Sequence, residues 1–258
     1  MEMATRKNIL KKYRMNSLKP NLSDTQFFEL YVKDKNWHPL QNHGLIDNEI
    51  KLQDSDKDFP NQIISYLNLF KNIEINNQSI LDIGCGWGRG THTIKKYFKE
   101  CYVMGTDIDY SYVNYAKLNF KNCDYMQDNL FKTKLKDSSF NFIILNCSMH
   151  FFYDQDKALQ NIHKKLKHNG KVLVTDLWTK ETFLIFLQKC KENGLKILSV
   201  EDQTKNTVES MKEDISKTFL KFKNKVDDES IIAFIDIQKE RLQLFKENIN
   251  RHYKFVIQ

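Results

Sequence analysis

One stretch constrains this chain more than any other: Ile80-Leu81-Asp82-Ile83-Gly84-Cys85-Gly86-Trp87-Gly88-Arg89-Gly90. An apolar run of strand character breaks into glycines at alternate positions and then passes into a helical pattern. A strand-to-helix turn of this kind is the ligand-binding corner of a parallel α/β sheet. Glycine there permits positive φ and lets a ligand come close to the main chain, where a side chain would block it.

The sequence around the turn agrees with such a sheet. From Ser79 to about Gln203, short apolar runs alternate with amphipathic segments, the pattern of repeated βα units. The strands expected are Ile80 to Ile83, Tyr102 to Asp107, Tyr125 to Gln127, Phe142 to Asn146, Lys171 to Asp176 and Lys196 to Val200. Helices are expected over Thr91 to Phe98, Tyr112 to Phe120, Asp156 to Leu166 and Lys180 to Glu192. Asn169-Gly170 and Asn193-Gly194 read as left-handed stops for the last two.

The flanks differ from this core. Residues 1–70 form a polar leader with short helical patterns, such as that around Phe27 and Phe28, and Thr207 to Asn250 reads as two long helices hinged near Asp227-Asp228. A last apolar strand follows from Tyr253 to Ile257. A chain of 258 residues suits one domain. The expected division is therefore a leader (1–70), a binding core (71–204), a helical insertion (205–250) and a last strand (251–258), with leader and insertion folding over the strand ends as a lid.

Several details narrow the ligand of the turn. A dinucleotide fingerprint requires Gly-x-Gly-x-x-Gly, and position 89 is Arg; the Walker pattern is absent as well. Asp82, just before the loop, would repel a pyrophosphate but suits a ligand carrying an ammonium and a sulfonium, as S-adenosylmethionine does. Asp107, at the end of the second strand, is placed to accept hydrogen bonds from two ribose hydroxyls, with Ile108 beside it. Asp128, or its neighbour Asn129, can read an exocyclic adenine amine. The alternative for each acid is a solvated or helix-capping role.

The chain resembles the class I S-adenosylmethionine-dependent methyltransferases, within them the small-molecule group that modifies natural products, sterols and quinol-like compounds. The resemblance rests on Leu81-Asp82-Ile83-Gly84-Cys85-Gly86-Trp87-Gly88, Gly105-Thr106-Asp107-Ile108, Asp128, and Leu166-Lys167-His168-Asn169-Gly170-Lys171. It implies an α/β fold with a Rossmann-like, seven-stranded, mostly parallel sheet and helices on both faces. It also implies S-adenosyl-L-methionine as cofactor, S-adenosyl-L-homocysteine as product, and a cofactor site of Asp82, Gly84, Cys85, Gly86, Gly88, Asp107, Ile108, Asp128, Asn129 and Asn146. Two usual features depart: Leu-Lys-Pro-Gly-Gly stands here as Leu-Lys-His-Asn-Gly, and Phe-Asp before the fourth strand is Phe140-Asn141. In Gln41-Asn42-His43-Gly44-Leu45, His43-Gly44 resembles the group's His-x-Gly-Tyr-Trp motif but lacks its aromatic pair.

Methyl transfer is an in-line displacement, so the protein chiefly aligns an acceptor and excludes water. An acceptor that carries a proton gains further from a base. His150 follows the fourth strand on the cofactor edge and Asp176 ends the fifth, so the two side chains can meet. The resemblance implies such a pair; the alternative is that His150 caps the next helix and Asp176 accepts backbone bonds. Trp37, His43, Phe151 and Trp178 are candidates for the acceptor wall, with core packing the competing role for the aromatic residues.

Composition bounds the rest. At 41% hydrophobic and 28% charged the chain is globular, and it has no apolar run of the roughly 18 residues a membrane span needs. Its net charge of +7 comes from lysines spread along the chain, which points to a solvated surface rather than a nucleic-acid footprint. The Asn/Asp-Pro-Pro-aromatic motif of base-amine methyltransferases is absent after the fourth strand. The five cysteines form no Cys-x-x-Cys pair, and no metal site is expected. The expected partner is a small-molecule acceptor, with a cytoplasmic location, no membrane insertion, and a monomeric or homodimeric state. The competing functions are an RNA- or protein-directed methyltransferase and a non-catalytic cofactor-binding partner subunit.

Overall fold

The computed structural model describes residues 42–56, 60–222 and 228–258. Trp37, the helical pattern near Phe27, and the hinge before Asp228 lie outside them. In chain order the elements are α1 (Pro60–Asn68), β1 (Ser79–Ile83), α2 (Arg89–Tyr97), β2 (Tyr102–Asp107), α3 (Tyr110–Asn119), β3 (Asp124–Gln127), β4 (Phe140–Asn146), α4 (Gln155–Lys165), β5 (Leu166–Trp178), α5 (Lys180–Glu192), β6 (Ile197–Asp202), α6 (Thr204–Phe222), α7 (Asp228–Lys246) and β7 (Arg251–Ile257).

The strands form one seven-stranded sheet in the order β3-β2-β1-β4-β5-β7-β6. The pairs β1–β2, β1–β4, β2–β3 and β4–β5 are parallel, and β7 runs antiparallel between β5 and β6. This is a Rossmann-like α/β fold with helices on both faces of the sheet. The strand order reverses between β1 and β4, the place where open α/β sheets leave a crevice at their carboxyl edge.

Period-two alternation explains why the strands are apolar throughout. Leu81, Ile83, Ile143, Leu145, Val172 and Val174 face one layer, where α4 and α5 bring Leu159, Ile162, Phe183 and Phe186. Ile80, Phe142, Ile144 and Leu173 face the other, against Tyr66 and Leu69 of the α1 region and Ile94 of α2. A fully buried side chain such as Phe186 contributes roughly 1.5–3 kcal/mol relative to exposure. Asp82 shares the face of Ile80, so its carboxylate lies on the α1 and α2 side.

The two Asn-Gly stops fare differently. Asn193 caps α5 and Gly194 follows at φ +73°, a left-handed stop. Asn169 also has positive φ, 61°, but α4 has already ended at Lys165. Asn169-Gly170 instead sits within β5, where pairing with β4 jumps from Phe140↔Leu166 to Phe142↔Lys171. The left-handed residue serves a bulge there, which bends the strand before it pairs regularly.

The insertion helices α6 and α7 connect β6 to β7, and both junctions lie on the carboxyl edge of the parallel strands. Met211, Leu242 and Phe245 are buried together beside Leu177. The α6 helix is also tied to the segment before α1: Ser210 Oγ donates to the His43 carbonyl at 3.2 Å, and Asn61 and Gln62 bond Glu213 and Asp214. His252 at the start of β7 is fully buried between two threonines, with Nδ1 2.7 Å from Thr207 Oγ1 and Nε2 3.2 Å from Thr175 Oγ1. Among the described residues, no helix is long and apolar enough to cross a membrane.

Candidate active site

The glycine turn closes over the ends of β1 and β2. Gly84 and Cys85 donate their N–H groups to the Thr106 carbonyl at 2.8 and 2.9 Å, which folds the loop back on β2. Gly86, at φ +51°, turns its N–H toward Asp107 Oδ2 at 2.9 Å. Gly88, at φ +81°, caps α2; a Cβ there would lie 2.5 Å from Ala116 Cβ and 2.8 Å from the Tyr125 ring. Helix and strand therefore approach too closely for any side chain at that position. Cys85 is buried beneath the turn.

Asp82 is wholly buried. Its Oδ2 accepts from Thr91 Oγ1 at 2.7 Å, while Oδ1 has no hydrogen-bond partner. Burial pushes its pKa up to about 7, the Thr91 bond opposes this, and the charge of Asp107 adds to it. Asn146, buried at the end of neighbouring β4, bonds Ser65 Oγ through Nδ2 at 3.2 Å, and its Oδ1 also lacks a partner. Two unsatisfied acceptors thus lie at the carboxyl ends of adjacent strands, on the α1 side. Leaving an acceptor buried and unpaired is costly, and a cationic or N–H-bearing ligand would relieve it.

Asp107 accepts from Gly86 N through Oδ2 and from Asp109 N through Oδ1 at 3.0 Å. Its pKa is raised, mainly by burial, against the lowering effect of these bonds. Ile108 is 65% exposed on the rim. Asp128 is half-buried, and its N–H bonds the Asp107 carbonyl at 2.9 Å, so the ends of β2 and β3 are locked together. Asn129 spends its side-chain oxygen on Phe131 N at 3.0 Å, capping a short turn, which leaves only its amide N–H donors toward solvent or ligand.

On the other side of the edge, His150 Nδ1 lies 2.5 Å from Asp176 Oδ1, and the His150 N–H donates to Asp176 Oδ2 at 3.0 Å. The imidazole remains about a third exposed while the carboxylate is fully buried. Asp154, not His150, caps α4. Asp176 does accept backbone bonds, from His150 and from Leu177, in addition to the ring. Cys147, buried at φ +55° between β4 and His150, has its thiol pushed up by burial; its bond to the His43 backbone acts in the opposite direction.

The aromatic candidates separate. Phe151 is 77% exposed, and its ring lies 4.0 Å from that of His150. Trp178 is 3% exposed and packs in the core against Phe186 at 4.6 Å and Phe255 at 6.1 Å. His43 is half-buried beside Phe245, at 6.2 Å between ring centroids. Burial first, then the charges of Arg241, His252 and His150, hold its imidazole well below the usual histidine range.

Sequence reasoning missed Tyr66, Ser65 and Thr91. Tyr66 packs over Gly90, where a Cβ would lie 1.9 Å from its ring, and burial and the Asp82 charge push its phenol well above the usual range. These residues become neighbours of the site only through tertiary packing. Among the described residues, no group of three or more His, Cys, Asp or Glu is arranged to hold a metal ion.

The sequence matches the family described as Methyltransferase domain over residues 75–248. The chain belongs to that family. The matched segment runs from the approach to β1 through α7, so it includes both the glycine turn and the His150–Asp176 contact. Among curated relatives, the methyltransferase YcgJ of Bacillus subtilis is 28% identical over 107 residues, covering 40% of this chain and 42% of that one. The malonyl-[acyl-carrier protein] O-methyltransferase of Bacillus cereus is 26% identical over 106 residues, covering 40% and 39%. This chain thus aligns with less than half the length of these relatives. Among solved structures, a mycolic acid cyclopropane synthase superposes with a TM-score of 0.69 at 17% identity, covering 92% of this chain and 95% of that one. That likeness is one of fold.

Proposed function

We propose that this protein transfers the methyl group of S-adenosyl-L-methionine to a small-molecule acceptor and releases S-adenosyl-L-homocysteine. The observation that carries this reading is the buried Asp82 carboxylate with one oxygen unpartnered, set at the sheet's reversal point under a glycine turn. Those residues fit a cationic nucleoside better than a phosphate-bearing one, because a buried acid repels phosphate. Asp82 and Asn146 would hold the amino-acid end, Asp107 the ribose, and Asp128 with the Asn129 amide the adenine, with Gly84, Cys85, Gly86, Gly88 and Ile108 shaping the main-chain cradle and its rim. When bound, the cofactor supplies a methyl carbon made electrophilic by its positive sulfur.

The chain's own share is alignment and proton transfer. Asp176 takes the Nδ1–H of His150, which leaves Nε2 with a free lone pair to receive a proton from the acceptor's hydroxyl or ammonium. His43, kept neutral, and Phe151 flank the acceptor, and α6 and α7 close the edge against water. The B. cereus relative is named for an acyl-carrier-bound malonyl group, and a further relative, from Mycolicibacterium smegmatis, for a fatty acid. These names support an acid-bearing acceptor. A transfer assay with cofactor labelled at its methyl, run across phenols, amines, carboxylic acids and an RNA oligomer, tests the reading. Label on small molecules alone supports it, and label on RNA alone overturns it.

A further inference from the structure

The Asp82 carboxylate has one donor and one bare oxygen. Among the described residues the Thr91 hydroxyl is that donor, with Oγ1 2.7 Å from Oδ2, while Oδ1 has no partner. Thr91 is the third residue of α2, the helix that leaves the glycine turn, and both it and Asp82 are wholly buried. The bond therefore lies out of reach of bulk water, where a hydrogen bond to a charged group is strong. The two oxygens of a carboxylate point apart, so engaging Oδ2 with Thr91 turns Oδ1 away from α2.

The sheet makes room for this bond. Gly105 on β2 stands directly across from Asp82 in the strand register. A Cβ at Gly105 would lie 2.8 Å from Thr91 Oγ1, 2.9 Å from the Tyr125 ring and 3.0 Å from Cys85 Cβ. A side chain at Gly105 would thus crowd the hydroxyl off the carboxylate. The titratable groups around Asp82 are Asp107 at the end of β2, Tyr66 of α1, Cys85 of the turn, and Cys123 and Tyr125 at β3. None of them is a cation. Burial pushes Asp82 up, the Thr91 hydroxyl pulls it down, and the Asp107 charge adds to the rise.

We infer that Thr91 is a positioning residue for cofactor binding: its hydroxyl holds one oxygen of the ionised Asp82 carboxylate and leaves the other to the ammonium at the cofactor's amino-acid end. This deepens the proposed methyl transfer and rests on it. Without the hydroxyl both oxygens are buried and unpaired, so the anion is harder to form, and a protonated acid offers the ammonium no counter-charge. Affinity lost in this way returns as pH rises and Asp82 ionises. A packing defect at Thr91 would weaken binding equally at every pH.

The test titrates the full chain with S-adenosylhomocysteine by calorimetry, in steps from pH 5.5 to 8.5. In the parent protein affinity falls below a midpoint at about 7. Thr91→Val and Thr91→Ala lack the hydroxyl and move that midpoint up by about one unit, so binding at pH 6 is roughly tenfold weaker while binding at pH 8.5 stays within about threefold of the parent. The two replacements differ in volume, so a packing defect in one does not decide the result. Thr91→Ser keeps the hydroxyl and the parent's midpoint, and Asp82→Asn binds weakly with no midpoint. An unmoved midpoint in the hydroxyl-free variants, a loss that is the same at every pH, or a midpoint that survives in Asp82→Asn overturns the inference while leaving methyl transfer intact. Failure of S-adenosylhomocysteine to bind the parent protein at any pH overturns the functional reading beneath it.

Discussion

Asp176 holds His150 at two points, the ring Nδ1 at 2.5 Å and the backbone N–H at 3.0 Å, so one buried carboxylate fixes both the position and the tautomer of the imidazole. A side chain held in this way turns its remaining nitrogen outward with little freedom, which is the arrangement general-base chemistry requires. Asp176 stands on β5, and His150 lies in the single turn Met149–Phe151 just after β4.

His150→Ala should lower turnover by about 10²- to 10⁴-fold with an acceptor that loses a proton, and leave S-adenosylhomocysteine affinity unchanged. Asp176→Asn should lower it as well, through loss of the tautomer. Steady-state rates and calorimetry on the same preparations check this. Unaltered turnover in His150→Ala would remove the base role.

Asp82 gives the cofactor site a pH dependence. Its folded pKa lies near 7, above that of the unfolded chain, so the folded apoprotein holds a proton that the unfolded chain has already released. The linked stability is therefore lost as pH rises from about 4 toward 7. A cationic ligand prefers the ionised form, so cofactor affinity should weaken as pH falls below 7, approaching about tenfold per pH unit. Asp82→Asn should abolish that slope, as measured by titration with S-adenosylhomocysteine between pH 5.5 and 8.

Gly88→Ala combines a left-handed backbone with a collision against Ala116 and Tyr125, neither of which can swing away. Left-handed strain of about 1–2 kcal/mol and overpacking of about 1–3 kcal/mol both act here. Urea denaturation should show a loss of roughly 2–5 kcal/mol, and no measurable loss would mean that the turn relaxes.

His252 links the insertion to the sheet and responds to acid. Burial lowers its pKa to about 4, so between pH 6.5 and 4 the unfolded chain binds a proton that the folded chain refuses. Stability falls with falling pH across that window. In His252→Gln the fall should be shallower, and hydrogen exchange in α6 should rise at neutral pH because the Thr207 contact is weakened. Identical pH curves for the two proteins would contradict this.

The parallel strands were legible because both faces of the sheet are covered, which makes them apolar without interruption. The glycine turn was legible because its conformation demands a residue type. Asn169-Gly170 misled because a left-handed residue serves a strand bulge as well as a helix end, and only pairing across to Phe140 and Phe142 distinguishes them. Trp178 was ambiguous because it stands two residues past Asp176 in β5 and so shares that acid's face of the strand, and neighbouring helices decide whether that environment is core or rim. Tyr66 and Ser65 carry no local signal at all. They reach the site through the packing of α1, which periodicity does not specify.

Calorimetric titration of the purified chain with S-adenosylhomocysteine, NADH and ATP decides which nucleoside the glycine turn accepts. A cationic, phosphate-free nucleoside site predicts saturable binding of S-adenosylhomocysteine at one site per chain, weakened in Asp82→Asn and in Asp107→Ala, with no heat from NADH or ATP. Binding of either phosphate-bearing nucleotide without binding of S-adenosylhomocysteine would contradict it.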